Sequence, residues 1–354
     1  MKILIATGGT GGHIFPAIET AKVLRARGHQ VSFAGVLGPA EEKIKALDFP
    51  AFPLAAKGLN DRSFLGWLNF ASVMTQAIFR SFGVVQKCAP DKIIGFGGYG
   101  AFPVVMAGSL MRCPVLIHEQ NVLPGKANTL LSKIVKKVAI SFEGSRKYLD
   151  PAKVVWTGCP CNCSSVPSRL EGVSAFGLEA NKKTILLIGG SQGSHRLNEV
   201  FFELMEDLSA ANFQAIHMTG HKDFPLYEAR YLKAGLPVKT YAFINNISQA
   251  YATADVIIAR AGAATVTELG LLGLASVLVP YPFAGNHQKY NADVLGASKA
   301  AVVVEQKDLT KISLKEAVTR MVMSNFSRED VLKMTHGLFQ KDAALQLALV
   351  AEGL

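Results

Sequence analysis

Apolar residues in this chain gather into short runs, and most of the runs end on glycine. The first, Ile3 to Ala6, reads as a buried strand and is closed at once by Gly8, Gly9, Gly11 and Gly12. A helix is expected from near Ile14, with Ile18, Ala21 and Leu24 on its inner face and Gly28 as its stop. Val31 to Ala34 is the next strand. The pattern then recurs: Lys92–Pro103 is a strand with a turn containing Gly95, Gly97 and Gly98, and Pro114–Asn121 is a strand ending in four polar residues. Thr184–Asn198 repeats the opening device about half a chain later, with Gly189, Gly190 and Gly193 in its turn. Ala254–Glu268 and Ala275–Val279 supply further strands, and Glu329–Ala351 reads as a helical run.

Near-continuous apolar strands that alternate with helices imply parallel sheets covered on both faces. The repeated strand–glycine–helix unit implies two of them, so the expected architecture is two doubly wound α/β domains facing each other across a cleft, with ligands at the carboxyl ends of the strands. Residues 1–160 form the first domain in this reading, 161–335 the second, and 336–354 a helix that packs back across both. Thr157–Glu171, rich in small residues and proline, is the expected hinge.

Composition changes this picture in one respect. The 354 residues carry a formal net charge of +10. All of it lies in residues 1–160, with 19 Lys and Arg against 9 Asp and Glu, while 161–354 balance at 18 against 18. The stretch 62–90 contains Phe64, Trp67, Phe70, Arg80 and Lys87 but no acid, and Lys126, Lys133, Lys136, Lys137, Arg146 and Lys147 extend the basic character. Apolar bulk beside basic side chains suits a surface resting on an anionic bilayer. Leu269–Gln288 lacks charge but is broken by Gly270, Gly273, Pro280, Pro282 and Gly285, so it reads as helix end, strand and loop, and no signal peptide is evident. The expected location is cytoplasmic.

The glycine turns select the ligand. Neither Gly8–Gly12 nor Gly189–Gly193 is followed by Lys-Ser/Thr, and neither has dinucleotide spacing with a downstream acid for a ribose. A phosphate-bearing ligand read by another rule is implied, held by backbone N–H groups and helix N-termini. Gly97 and Gly98 should lie alongside the first loop, and His118, Glu119, Gln120 and Asn121 sit at a strand tip where sites form. Gly262, Ala263 and Ala264 permit close approach at a helix start, and Glu268 is placed to accept from two sugar hydroxyls. Cys159, Cys161 and Cys163 lack the spacing of a zinc site and read as reduced linker thiols. No Asp-x-Asp pair occurs, so neither a protein-held metal nor a cofactor enters the reading.

Taken together, GGTGGH (8–13), GFGGY (95–99), HEQN (118–121), GGSQGS (189–194), RAGAATVTE (260–268) and HQKYNA (287–292) closely resemble the MurG family across nearly the whole chain. Those are inverting glycosyltransferases that add GlcNAc from UDP-GlcNAc to the undecaprenyl-linked MurNAc-pentapeptide of peptidoglycan synthesis. The resemblance implies the GT-B fold, a donor-binding second domain and an acceptor- and membrane-binding first domain on the cytoplasmic face of the cell membrane. By that resemblance Ser191 meets a UDP phosphate, Phe243 and Ile244 the uracil, and Glu268 the ribose. Ala263, Ala264, Thr265, Val266 and Thr267 meet diphosphate and sugar, and Gln288 meets GlcNAc hydroxyls. Thr10, Gly11, Gly12 and Asn121 reach the donor sugar, while Gly9, Gly97, Gly98 and Tyr99 meet the acceptor diphosphate. His13 is the expected base and Glu119 its alternative. Where the family has Gly-Asn-Pro-Val-Arg, this chain reads Gly158-Cys-Pro-Cys-Asn162, so the donor-binding arginine is an asparagine, with Arg169 or Arg196 as candidate substitutes. The rival readings are another GT-B lipid glycosyltransferase, a UDP-GlcNAc 2-epimerase, or a scaffold without catalysis.

Overall fold

A computed structural model describes residues 1–8, 10–55, 63–161, 163, 166–190, 192–208, 212–283 and 285–354. Gly9, Asn162 and Ser191 lie outside these residues, and so do the side chains of Phe64, Leu65 and Trp67. The chain divides into two compact units, one comprising residues 1–161 with 339–354 and the other residues 162–338.

The first unit is a parallel sheet of seven strands: β1 (Lys2–Gly8), β2 (Gln30–Val36), β3 (Ala51–Pro53), β4 (Lys92–Gly95), β5 (Val115–Glu119), β6 (Lys137–Ile140) and β7 (Val154–Trp156). Their spatial order is β3-β2-β1-β4-β5-β6-β7. The β1 run is apolar throughout because both faces are covered. Ile3 and Ile5 enter the core shared with α1 (Gly11–Ala26), whereas Leu4 and Ala6 enter the core that includes Val104 and Val105 of α4 (Gly98–Leu110). The first helix begins at Gly11, not near Ile14, so His13 belongs to its first turn. Between α2 (Ala40–Ala46) and α4 stands α3, a single helix from Phe64 to Cys88. It packs on α4, burying Ala77, Ser81 and Val85, and leaves Leu68 and Phe79 exposed. A short α5 (Lys126–Leu131) follows β5.

The second unit has β8 (Lys183–Ile188), β9 (Phe213–Met218), β10 (Val238–Tyr241), β11 (Val256–Ala259), β12 (Ser276–Leu278) and β13 (Ala301–Val303), ordered β10-β9-β8-β11-β12-β13 and parallel throughout. Its helices are α6 (Arg169–Phe176), α7 (His195–Leu208), α8 (Phe224–Ala234), α9 (Ile247–Thr253), α10 (Ala263–Leu271), α11 (His287–Ala297), α12 (Lys311–Met323) and α13 (Arg328–Met334). The expected hinge is shorter than the sequence pattern implies. Thr157 to Pro160 are buried, and a capping box of Ser168 and Glu171 already starts α6.

The helical run near the end is also divided. After α13 the chain returns to the first unit as α14 (Ala343–Glu352), whose Leu347, Ala348 and Ala351 join the core beside α1. Arg27 donates to both oxygens of Glu352 at 2.7 and 2.8 Å, and His29 Nε2 lies 2.7 Å from the same carboxylate.

Candidate functional site

Each sheet reverses its strand order once, between β1 and β4 in the first unit and between β8 and β11 in the second, and such switch points are where doubly wound sheets bind ligands. In both units the glycine turns expected from the sequence occupy that position.

In the first unit, β1 leads to Gly8 and α1, and β4 leads to Gly97 and α4. Gly98 has φ +74°, and a Cβ there would stand 3.0 Å from the Gly8 carbonyl and 3.4 Å from Cε1 of His13. The two turns therefore touch, with the His13 ring beside them. Thr10 caps α1 in extended conformation, and its Oγ1 lies 3.0 Å from His13 Nδ1. Such a contact orients the ring, and the hydroxyl can accept from Nδ1–H or donate to Nδ1, so it suits either tautomer. Gly11, Gly12 and Tyr99 lie in the first turns of α1 and α4, with Gly12 and Tyr99 exposed.

Within the HEQN segment the buried side chains bond to the surrounding chain. Glu119 is 1% exposed. Its Oε1 accepts from the backbone and side-chain amides of Asn121 at 2.8 and 3.2 Å, and its Oε2 from Gly125 N at 3.0 Å and Asn128 Nδ2 at 2.8 Å. A carboxylate offers about four acceptor positions, and all are taken, so Glu119 organises the loop to α5 and does not fit the alternative base role. His118 is fully buried, 2.9 Å from the Gly158 carbonyl through Nε2 and 3.0 Å from Gln120 Nε2 through Nδ1. Burial lowers its pKa to about 4, so it is neutral. Asn128, which bridges Glu119 and the Gly97 turn, has no signal in the one-dimensional pattern.

In the second unit, the turn after β8 packs so tightly that a Cβ on Gly193 (φ +75°) would stand 2.0 Å from the Thr219 carbonyl. The turn is held by Arg260 from the end of β11. Its Nε and Nη2 donate to Ser194 Oγ at 3.2 and 2.6 Å, Nη1 to the Val279 and Pro280 carbonyls at 3.0 and 3.2 Å, and Nη2 also to Gln306 Oε1 at 2.6 Å. Arg260 is 7% exposed, burial lowers its pKa to about 10, and among the described residues no carboxylate lies within ion-pair distance. Its charge is thus not balanced by a carboxylate among the described residues, an arrangement suited to an anionic ligand. Spacing in the sequence gave no reason to separate Arg260 from the other basic residues.

Nearby, Gly262 caps α10, so Ala263 to Thr267 form its first turns and Glu268 follows in the second, accepting from Tyr251 Oη at 2.7 Å. Phe243 and the buried Ile244 lie in the loop after β10. Gln288, on the first turn of α11, accepts from the Tyr281 amide at 3.0 Å. The candidate substitutes for the missing arginine are engaged elsewhere. Arg169 donates to the Thr253 and Lys182 carbonyls and pairs with Asp255, and Arg196 pairs with Glu199 and donates to the Leu309 carbonyl.

Two doubly wound units, each with a glycine cradle at its switch point, define the GT-B fold class. Family profiles agree: the glycosyltransferase family 28 N-terminal domain matches residues 3–140 and its C-terminal domain residues 184–347. The UDP-N-acetylglucosamine–N-acetylmuramyl-(pentapeptide) pyrophosphoryl-undecaprenol N-acetylglucosamine transferase of Bacillus subtilis strain 168 is 36% identical, covering 100% of this chain and 99% of its own length. The crystal structure of Acinetobacter baumannii MurG superposes with a TM-score of 0.76 at 28% identity, over 100% of this chain and 99% of that one. The calicheamicin glycosyltransferase CalG4, at 14% identity and a TM-score of 0.70 over 99% of this chain and 97% of its own, shares the fold. The chain belongs to the MurG family.

Proposed function

We propose that this protein is the inverting transferase that moves GlcNAc from UDP-GlcNAc to the 4-hydroxyl of MurNAc in undecaprenyl-pyrophosphoryl-MurNAc-pentapeptide, converting lipid I to lipid II in peptidoglycan synthesis. Full-length identity to the Bacillus transferase supports these substrates. The observation that carries the chemistry is the His13 imidazole, held by Thr10 at the switch point of the first unit.

The first unit takes the acceptor, with Gly9, Gly97, Gly98 and Tyr99 at its diphosphate. The second takes the donor. Ser191 and the first turns of α7 and α10 meet the UDP diphosphate, Phe243 and Ile244 the uracil, Glu268 the ribose, and Gln288 the sugar. Arg260 supplies positive potential that Asn162 does not.

In the reaction, a base at Nε2 of His13 takes the proton from the acceptor hydroxyl as oxygen attacks the anomeric carbon. This requires the tautomer in which Nδ1–H donates to Thr10 Oγ1. UDP departs from the opposite face, and helix N-termini with Arg260 stabilise its growing charge.

The lipid partner places the first unit at the cytoplasmic face of the cell membrane as a peripheral protein. Leu68 and Phe79 stand exposed on α3, with Arg80 next to Phe79 in the chain, in the half that holds the net positive charge. Among the described residues no helix is long and apolar enough to cross a membrane.

Release of UDP from UDP-GlcNAc, with and without a short-chain lipid-linked MurNAc-pentapeptide, tests the reading. Wild type should release UDP only with acceptor, and His13→Ala should slow it by about 10²- to 10⁴-fold. Acceptor-independent epimerisation of the sugar, or no release from folded wild type, would overturn it.

A further inference from the structure

The loop after β12 carries a pair of aromatic residues. Tyr281 and Phe283 are 43% and 63% exposed, yet they contact each other edge to face with ring centroids 5.2 Å apart. Single exposed aromatics are ordinary. This pair is braced on both flanks. From the side of β11, Arg260 donates to the Val279 and Pro280 carbonyls, and its guanidinium carbon lies 5.7 Å from the Tyr281 ring centroid. From α11, Gln288 Oε1 accepts the Tyr281 backbone N–H at 3.0 Å. Pro280 and Pro282 restrict the backbone on either side of Tyr281.

The Gln288 contact also fixes that side chain. A backbone N–H can be accepted only by the amide oxygen, so the orientation of the amide follows from the bond. The oxygen is committed to the loop, and the Nε2 hydrogens remain as the polar group for a ligand.

We propose that Tyr281 and Phe283 form a stacking shelf for the pyranose ring of the donor sugar, and that Gln288 reads this ring through its amide N–H groups alone. The C–H face of a pyranose is apolar and complements the negative face of an aromatic ring, while its hydroxyl and acetamido oxygens accept from Nε2. Bonding to Gln288 joins the shelf to the residue expected at the sugar, which favours a sugar over a base or a protein as occupant. The inference rests on the second unit being the donor site.

Calorimetric titration of UDP and of UDP-GlcNAc into the full chain tests it. Phe283→Ala, an exposed position, should leave UDP affinity unchanged and weaken UDP-GlcNAc about two- to tenfold, the range expected for one aromatic contact. Phe283→Tyr should restore it. Gln288→Glu keeps an acceptor for the Tyr281 amide but has no donor, so it should abolish the preference for UDP-GlcNAc over UDP. Equal weakening of UDP and UDP-GlcNAc in Phe283→Ala, or no weakening of either, would overturn the shelf. Wild type that binds neither ligand would instead overturn the donor-site reading beneath it.

Discussion

Thr10 Oγ1 and His13 Nδ1 stand 3.0 Å apart within the first turn of α1, where the glycine turns after β1 and β4 meet. With Nδ1–H donating to the hydroxyl, the lone pair falls on Nε2. Thr10→Val removes the acceptor and lets the other tautomer compete, so kcat should drop about tenfold with the stability unchanged, whereas Thr10→Ser should retain activity. Steady-state kinetics of the three proteins checks this, and a Thr10→Val enzyme with wild-type kcat would separate the threonine from the chemistry.

Glu119 receives four hydrogen bonds on a buried carboxylate. Glu119→Gln puts an NH₂ group against donors, leaving at least one unsatisfied at a cost of about 1–3 kcal/mol. The thermal midpoint of the first unit should therefore fall by about 2–12 °C. A variant that unfolds like wild type but has lost turnover would return Glu119 to a direct catalytic role.

Arg260 joins the turn after β8 to the loop after β12. Arg260→Lys keeps the charge but cannot span these acceptors, since an ammonium lacks the planar fork. UDP affinity should weaken about tenfold or more, corresponding to about 1.5–3 kcal/mol for a bond to a charged group. Equilibrium binding of UDP at two ionic strengths is the appropriate measurement, and unchanged affinity would confine Arg260 to bracing the loops.

Acid should loosen both units. Burial lowers His118 of the first unit to about 4 and His217 of the second to about 3, from an ordinary 6.5. In those windows the unfolded chain binds the proton that the folded chain refuses, so stability falls as pH drops from about 6.5 toward these values. Hydrogen bonds from Arg27 and His29 also hold the Glu352 carboxylate at about 2 against an ordinary 4.5. The stability gained by pairing α14 to α1 is thus present above pH 4.5 and is lost as pH falls through this lower window. Thermal melts from pH 7 to pH 3 should show a declining midpoint, and Glu352→Gln should flatten only the part below 4.5. A wild-type midpoint independent of pH would contradict all three.

Much of this protein is legible in one dimension because its strands are buried on both faces. Such strands appear as unbroken apolar runs such as Ile3–Ala6 and Ile185–Ile188, and glycine must follow where a turn packs against a neighbouring carbonyl, as Gly193 does against Thr219. The α/β class, the repeated cradle and the expectation of Gly97 and Gly98 alongside the first loop follow from those local demands. Only tertiary structure separates the roles of the polar residues. Glu119 and Arg260 both end or follow apolar strands, and nothing in their spacing tells a carboxylate with every acceptor position filled from a guanidinium with none but neutral partners among the described residues. Arg260 finds its partners Ser194 and Gln306 on segments distant in the chain, whereas Glu119 finds its own in the loop that follows it, as far as Asn128, and neither set is marked by spacing. Likewise, the resemblance makes Gln288 an expected sugar contact, but only the fold decides which end of its amide the protein itself occupies, because the bond to Tyr281 takes the oxygen.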